Sequence, residues 1–281
     1  MIVAMGTFAL ADTLVKVASA SLSPAQVLFY LLGGGLLMFA AIAISQGDSL
    51  LDRRALAPIL WLRYAAEVAG MVGMVTALAL VPISTVGAIT QATPLLAVLG
   101  AVLFLNEHIG WRRWCSILCG FLGVLLIVRP GAIAFDYSVL WAVLAMVALA
   151  VRDLTTPMVP RDMSSASLAT FTMVGSLPFV IAWVWMRGES LFPPGVDWVV
   201  VTPMAVLGAI GYIVLIQSLR TADVSVVMPF RYSRIVFLII LGVLVFGERP
   251  DVWTLLGAAL VVGSGIYLMW REQRVKQSST G

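Results

Sequence analysis

Runs of about 20 apolar residues, separated by short polar connections, follow one another along the whole chain. An α-helix rises about 1.5 Å per residue, so roughly 20 residues cross the bilayer core of about 30 Å. Ten runs bounded by charge, proline or glycine fit that length: 2–20, 25–45, 58–80, 84–105, 111–129, 138–158, 166–186, 198–218, 224–246 and 252–270. The pattern therefore predicts an all-α membrane protein with ten transmembrane helices.

Composition supports the bilayer as the solvent of this chain. Of its 281 residues, 61% are hydrophobic and 11% are charged, with a mean hydropathy of +1.04, whereas soluble domains are about 45–50% apolar and about 25% charged. These values exclude a soluble enzyme, a disordered chain and a nucleic-acid-binding protein. The net charge of +3 fits the basic loops of a membrane protein.

Lysine and arginine are unequally divided between the two sides of the predicted helices. One side carries Lys16, Arg129, Arg187 and Arg249, and the other carries Arg53, Arg54, Arg112, Arg113, Arg161, Arg220, Arg271, Arg274 and Lys276. Because cytoplasmic loops are enriched in positive residues, we expect both termini in the cytoplasm and the protein in a bacterial inner membrane. The first run lacks the basic stretch that precedes a signal peptide, which favours a span over a cleaved leader.

The chain contains an internal duplication at a shift of 141 residues. At this shift Asp12 aligns with Asp153, and Glu107 with Glu248. Each half holds five predicted helices, an odd number, so the second half enters the membrane from the opposite side. The sequence predicts two inverted five-helix repeats, 1–136 and 137–281, in one integral membrane domain. Inverted repeats are typical of alternating-access carriers, which bind substrate near the midplane between the repeats.

The end of each half also carries a shared motif. The first reads Pro94, Leu105-Asn106-Glu107, Gly110-Trp111, Gly120 and Gly123, and the second reads Gly242, Phe246-Gly247-Glu248-Arg249-Pro250, Trp253, Gly257 and Gly263-Ser264-Gly265. These motifs resemble the repeat ends of the drug/metabolite transporter superfamily, EamA-type. The resemblance implies a ten-helix bundle with a central cavity that transports small metabolites without ATP, leaves the substrate open, and gives Glu107 and Glu248 structural roles.

Ionisable residues inside the spans are the candidates for function, because each costs about 2.5–3.5 kcal/mol on insertion scales and has to face a cavity or a partner. The candidate substrate-binding residues are Arg231, Arg234, Tyr232, Arg63, Tyr64, Gln91 and Gln217. The candidate coupling or gating residues are Asp12, Glu67, Arg152 and Asp153.

The ninth span holds the strongest candidates. Arg231 and Arg234 are three residues apart, hence on one helix face, near the middle of the span, and Pro229 loosens the helix beside them. They are interpreted as a clamp for a carboxylate, phosphate or sulfonate, with Tyr232 stacking or hydrogen bonding. The alternative is that each arginine pairs with an acid from another helix. At the repeat shift, Gln91 lies opposite this cluster and is expected to form a neutral wall; Gln217 is a weaker candidate.

The spacing of the other charges predicts their partners. Arg63 and Glu67 are four residues apart and can pair within the helix, although Arg63 can also reach the interface; Glu67 lies deeper and can neutralise another arginine or titrate. Asp12 precedes Lys16 by four residues, the favourable order for mutual pairing.

The neighbouring residues Arg152 and Asp153 diverge by about 100° around their helix, so separate partners and an interhelical network are expected. The positively charged residues within the spans outnumber the acids by two, which favours a substrate that is an anion or bears a carboxylate. If instead an acid faces the cavity alone, the site can bind an amine, and a zwitterionic amino acid fits.

The sequence lacks the residue patterns that metal binding and ATP hydrolysis require. His108, Cys115 and Cys119 have no further ligands at metal-binding spacing, and no glycine-rich phosphate loop with a following lysine is present, so no metal, cofactor or ATP hydrolysis is expected. We expect a secondary carrier, not an enzyme, for a small polar metabolite bearing a carboxylate or phosphate, or an amino acid. A proton-coupled exporter of cationic compounds is the alternative. Each half has enough helices to close a bundle, which is compatible with a monomer.

Overall fold

The structure is a computed structural model that describes residues 1–48, 57–93, 95–96, 99–100, 111–129, 136–155, 159, 163–221 and 228–279. Side chains are not described at 112–113, 216–221, 228–229, 268–269 and 271–279. Pro94, Glu107 and His108, and the side chain of Gln217, therefore lie outside the described residues.

Ten α-helices occupy the described ranges. They are α1 (Ile2–Ala18), α2 (Pro24–Ser45), α3 (Pro58–Leu80), α4 (Ile83–Thr90), α5 (Trp111–Val128), α6 (Val139–Thr155), α7 (Ser165–Met186), α8 (Trp198–Thr221), α9 (Ser233–Phe246) and α10 (Val252–Ser279). A 3₁₀ turn, Met228–Tyr232, precedes α9. Each helix falls on one of the apolar runs, which confirms the all-helical architecture.

By length and composition, four of the described helices can cross a membrane. These stretches are Pro24–Ser45, Pro58–Leu80, Ser165–Met186 and Trp198–Leu215. Two shorter apolar stretches, Trp114–Val128 and Val252–Tyr267, lie in α5 and α10.

Local sequence sets several helix ends. Ser23 forms a capping box with Gln26: the Ser23 side chain accepts a hydrogen bond from the Gln26 backbone, and the Gln26 side chain accepts one from the Ser23 backbone. Pro24 occupies the first position of α2, where its missing N–H costs nothing. At the other end of the chain, Gly247 ends α9 with a φ of +63°, a left-handed conformation that glycine adopts without strain.

The fourth and ninth runs are not continuous helices, contrary to the sequence prediction. Helix α4 ends at Thr90, and Gln91 and Ala92 form a turn before helical residues resume at Thr93. Thr93 Oγ1 donates a hydrogen bond to the carbonyl of Thr90 at 2.6 Å. In a continuous helix that carbonyl would accept from the backbone N–H of residue 94, but residue 94 is proline and has none.

The ninth run is 3₁₀ from Met228 to Tyr232, and α9 begins only at Ser233. Pro229 lies within this turn. Arg231 therefore precedes the α-helix, and Arg234 is in its first turn, instead of both lying on one face of a continuous helix.

The main helix contacts are related by exchanging the first five helices with the last five. In this exchange, α1 to α5 take the places of α6 to α10 in order. The contact between α3 and α6 then corresponds to that between α8 and α1. In the same way, α1–α9 corresponds to α6–α4, and α2–α8 corresponds to α7–α3. Helices α2 and α7, α4 and α9, and α5 and α10 pack on each other across the two halves.

Helices α5 and α10 approach closely through glycine. A Cβ on Gly123 would lie 2.7 Å from the carbonyl oxygen of Gly257, and a Cβ on Gly257 would lie 2.6 Å from that of Gly123. Small residues at this crossing let the two backbones touch, as in helix pairs within membranes.

The end of α5 is joined to the start of α10 by an exposed ion pair. Arg129 hydrogen bonds to Asp251 Oδ2, and Asp251 Oδ1 accepts from the backbone N–H of Thr254 at 2.8 Å, which caps α10. Partial burial acts to raise the pKa of Asp251, but the hydrogen bonds from Arg129 and Thr254 outweigh it and lower the pKa to about 2.

Candidate functional site

A cavity of about 160 Å³ lies where the two halves meet. A single water needs about 10–15 Å³, so the cavity has room for a small organic molecule. Methionine and aromatic side chains form much of its wall, and its polar lining residues are Asp12, Glu67, Thr90, Gln91, Thr93, Arg152, Tyr212, Arg231 and Arg234. Gln91, which the sequence predicts to form a neutral wall, lines the same cavity as the two arginines, together with Thr90 and Thr93.

Asp12 in α1 and Arg234 in α9 form an ion pair across the cavity. Arg234 Nη2 and Nε donate to Asp12 Oδ2 at 2.5 and 3.1 Å. The guanidinium also lies 5.3 Å from the ring centre of Phe8, a cation–π contact. The Asp12–Lys16 pairing that the spacing favours is not formed, because Asp12 binds Arg234 and Lys16 pairs with Glu248.

Glu67, Arg152, Asp153 and Arg231 form a chain of alternating charge. Arg152 Nη1 donates to Glu67 Oε1 at 3.2 Å, and Arg152 Nη2 and Nε donate to Asp153 Oδ1 at 2.8 and 3.0 Å. Arg231 Nη1 lies 3.6 Å from Asp153 Oδ2. The prediction that Arg152 and Asp153 diverge is wrong, because the long arginine side chain curls around the helix to its neighbour. The interhelical network expected around them is present.

The Arg63 side chain is buried inside the protein, with an exposed fraction of only 2%. Its Nη1 donates to Thr172 Oγ1 at 2.6 Å, and its Nη2 donates to Tyr212 Oη at 3.1 Å. Tyr212 lines the cavity, whereas Arg63 is outside its described lining and stands behind Tyr212. Phe39 packs on the Tyr212 ring, with centroids 5.4 Å apart.

Gln91 links the two broken helices. Its Nε2 donates to the backbone carbonyl of Arg231 at 3.0 Å. That carbonyl is available because the residues around it are 3₁₀ and not α-helical. The two irregular segments, which align at the repeat shift, therefore contact each other directly.

Lys16 in α1 and Glu248 after α9 form another ion pair between the halves, outside the described lining of the cavity. Lys16 Nζ lies 3.7 Å from Glu248 Oε1 and donates to the carbonyls of Val81 and Leu78 at 2.6 and 3.3 Å. Glu248 caps the start of α4 by accepting from Ile83 N and from Ser84 N and Oγ at 2.7, 3.2 and 2.8 Å. These contacts fit the structural role expected for Glu248.

Two predicted binding residues lie outside the described lining of the cavity. Tyr64 is buried with Leu60 and Phe171 in a separate apolar cluster. Tyr232 is 3% exposed, and a Cβ on Gly265 would lie 1.8 Å from its hydroxyl oxygen. No hydrogen-bond partner for that hydroxyl exists within the described part of the chain. Both tyrosines therefore pack against other side chains or backbone outside that lining.

Sequence reasoning missed some residues of the site. Thr172 meets Arg63, Phe8 meets Arg234, and Met5, Met71 and Met74 form the apolar wall. Threonine, phenylalanine and methionine are common in any apolar span, so their types carried no signal. Only the tertiary arrangement distinguishes them.

The described residues around the cavity include four arginines and three acids. The arginines at 63, 152, 231 and 234 face Asp12, Glu67 and Asp153. The count from the sequence included Lys16 among the charges of the cavity, whereas the structure pairs Lys16 with Glu248. Within the described residues, no group of three His, Cys, Asp or Glu side chains is arranged to hold a metal ion.

Comparison with known proteins matches nearly the whole chain to one family. The EamA-like transporter family profile matches twice, over residues 1–129 and 136–271. One solved crystal structure superposes with a TM-score of 0.65 and 18% identity, covering 98% of this chain and 97% of that chain. At that identity the likeness concerns the fold.

Several curated proteins are similar in sequence. The S-adenosylmethionine uptake transporter of Rickettsia felis is 28% identical over 209 residues, 73% of this chain and 69% of that protein. The riboflavin transporter of Rhizobium johnstonii is 27% identical over 205 residues, 73% of this chain and 68% of that protein. The pseudopaline exporter CntI of Pseudomonas aeruginosa is 28% identical over 279 residues, 95% of this chain and 93% of that protein.

Proposed function

This chain belongs to the EamA-like transporter family, and we propose that it is a secondary carrier that moves a small polar organic metabolite across the inner membrane by alternating access. The observation that carries the proposal is the set of polar contacts between the halves at the cavity. Asp12 binds Arg234, Glu67 binds Arg152, and Gln91 binds the Arg231 carbonyl, each joining residues of 1–136 to residues of 137–281.

Such contacts suit a carrier because they can exchange partners. A bound substrate that competes for one member of an ion pair weakens the attachment of one half to the other. A ligand shifts a conformational equilibrium only through different affinities for the two states. Ion pairs at the cavity supply that difference when the substrate is charged.

Two inverted repeats, 1–136 and 137–281, provide the moving parts in this proposal. The exchange relation among the helix contacts and the two family matches support it. In carriers with this design, one repeat rocks against the other around a fixed site. The distribution of lysine and arginine in the loops supports a cytoplasmic position for both termini.

The proposed substrate bears a carboxylate or a phosphate. The arginines at 152, 231 and 234 line the cavity, and arginine binds both groups with paired hydrogen bonds. The names of the similar proteins span S-adenosylmethionine, riboflavin and pseudopaline, so they support a small organic substrate without choosing among classes.

Counterflow into proteoliposomes tests the proposal. Vesicles containing the purified chain are preloaded with one member of a panel of amino acids, dicarboxylates and sugar phosphates, and uptake of the same labelled compound is followed. A carrier accelerates uptake when unlabelled substrate is inside. We expect at least one carboxylate or phosphate to show this acceleration, and Arg234→Ala to abolish it.

Arg187→Ala is the matched control, since Arg187 pairs with Glu189 in a connection away from the cavity. Flux without counterflow would indicate a channel. Counterflow of cationic amphiphiles that persists in Arg231→Ala and Arg234→Ala, but is lost in Glu67→Gln, would replace the proposal with the proton-coupled exporter of cations.

A further inference from the structure

Glu67 is the least satisfied charged group that lines the cavity. Its exposed fraction is 2%, and only Oε1 is engaged, by Arg152 Nη1 at 3.2 Å. Oε2 is buried and has no hydrogen-bond partner among the residues that the structure describes. An ionised carboxylate oxygen in this position costs free energy unless a donor reaches it.

From this we infer that Glu67 Oε2 is the subsite for a substrate ammonium group and that the transported metabolite is a zwitterion with an apolar side chain. The inference rests on the proposed carrier function and narrows its substrate class. The ammonium supplies the missing donor, while the carboxylate of the same molecule is taken by the arginines of the cavity.

The surroundings of Glu67 contain both signs of charge within one small space. Arg152, bound to Glu67, is itself bound to Asp153, which pairs with Arg231. A zwitterion placed in this chain of alternating charges meets a carboxylate with its ammonium and a guanidinium with its carboxylate. It brings no net charge into a low-dielectric region, where an unpaired charge is costly.

The remaining wall of the cavity matches the rest of such a molecule. Met5, Met71 and Met74, with the rings of Phe8 and Phe39, line the cavity. Methionine is flexible and polarisable and fits side chains of differing shape. A cavity of about 160 Å³ accommodates an amino acid head group together with an apolar substituent.

Matched ligands separate the two charged ends of the substrate. Leucine, isocaproate and isoamylamine share one apolar tail. Leucine carries both charged groups, isocaproate carries only the carboxylate, and isoamylamine carries only the amine. Phenylalanine, hydrocinnamate and phenethylamine form the second set. Binding is measured by thermal stabilisation of the detergent-purified full chain, because a ligand that binds the folded state raises its apparent stability.

In wild type we expect the amino acid of at least one set to bind ~10-fold or more tightly than its acid and its amine, the effect of one charge-assisted hydrogen bond. In Glu67→Gln we expect the amino acid to fall to the affinity of the acid, while the acid itself is unchanged. Thr76→Val is the matched control: it removes another buried oxygen without a hydrogen-bond partner, but Thr76 is outside the described lining of the cavity.

Three results would overturn the inference: acids that bind wild type as tightly as the amino acids, a Glu67→Gln variant that keeps the preference, or neither amino acid binding. If Glu67→Gln fails to fold, the comparison of ligands on wild type decides alone.

The proposed function is tested separately by counterflow. Counterflow of simple carboxylates or phosphates with no gain from an ammonium group ends the zwitterion inference and leaves the carrier in place. Absence of counterflow for every compound in both panels overturns the carrier itself.

Discussion

Asp12 and Arg234 share a single oxygen atom: both Nε and Nη2 of the arginine donate to Oδ2 of the aspartate, at 3.1 and 2.5 Å. The pair joins the first helix of the chain to the ninth. Because both guanidinium donors converge on Oδ2, a second carboxylate can approach the remaining N–H groups of Arg234.

Removing one member of this pair is expected to be worse than removing both. Arg234→Ala leaves the Asp12 charge buried, which costs about 3 kcal/mol for pairs of this kind. The double variant Asp12→Asn, Arg234→Gln keeps similar volumes and no charge, so we expect it to recover most of that stability while remaining inactive in counterflow.

Thermal unfolding of Asp12→Asn, of Arg234→Gln and of the double variant in detergent forms a double-mutant cycle. Additive effects would contradict a direct interaction between the two side chains. Recovery of counterflow in the uncharged double variant would contradict a role for either charge in transport.

Glu248 is expected to matter more for stability than its ion-pair partner. Glu248→Ala removes the acceptor of three hydrogen bonds at the start of α4, for a loss of about 1–3 kcal/mol. Lys16→Met removes the ion pair but leaves those hydrogen bonds, so its effect is expected to be smaller. The measurement is the melting temperature of each variant, and equal losses would argue against the capping role.

The apolar runs were enough to predict the helices, because a bilayer imposes both their length and their composition. The presence of ionisable residues inside the apolar spans likewise identified Asp12, Glu67, Arg231 and Arg234, which line the cavity. The pairing of those charges could not be predicted. It depends on which helices become neighbours, and local spacing instead suggested Asp12 with Lys16.

The breaks at Gln91 and before Ser233 were also beyond the sequence pattern. An apolar run looks the same whether its backbone is α-helical or 3₁₀, and Pro229 showed only that the ladder of hydrogen bonds was incomplete. The backbone conformation there is decided by tertiary contacts, such as the one between Gln91 and the Arg231 carbonyl.

Acid is expected to weaken the contact between α5 and α10 through Asp251. Its pKa in the folded protein, about 2, is below the value of about 3.9 for an unperturbed aspartate. The ionised form therefore stabilises the fold above about pH 4, and this contribution is lost as the pH falls from about 4 towards 2. The test compares melting temperatures of wild type and Asp251→Asn across that range.

The difference between the two proteins is expected to be constant at higher pH and to shrink on acidification. Arg129→Gln is the control, because removing the donor of the ion pair removes most of this pH dependence. A difference that grew in acid would reverse the sign of the argument.

Gly265 has no space for a side chain. A Cβ there would lie 1.8 Å from the Tyr232 hydroxyl oxygen and 2.2 Å from the ring carbon that bears it, so Gly265→Ala is expected to destabilise the protein by about 1–3 kcal/mol. Tyr232→Phe removes a buried hydroxyl without a described hydrogen-bond partner, and we expect unchanged or higher stability.

Ligand binding by Tyr232→Phe separates packing from recognition. Binding like that of wild type supports the packing role described for Tyr232. Weaker binding at unchanged stability would restore the contact with substrate that the sequence suggested.

The hydrogen bond from Gln91 ends on the main chain of residue 231 and not on its side chain. Every amino acid has a backbone carbonyl, so this hydrogen bond between the halves does not depend on the side chain at position 231. In the proposed carrier, the charges that select a substrate are carried by side chains, which mutation can replace one at a time. A backbone contact between the halves and side-chain contacts with the substrate are therefore separate features in this proposal. Substitution of a side chain in the cavity can then change the substrate while the backbone contact between the halves is kept.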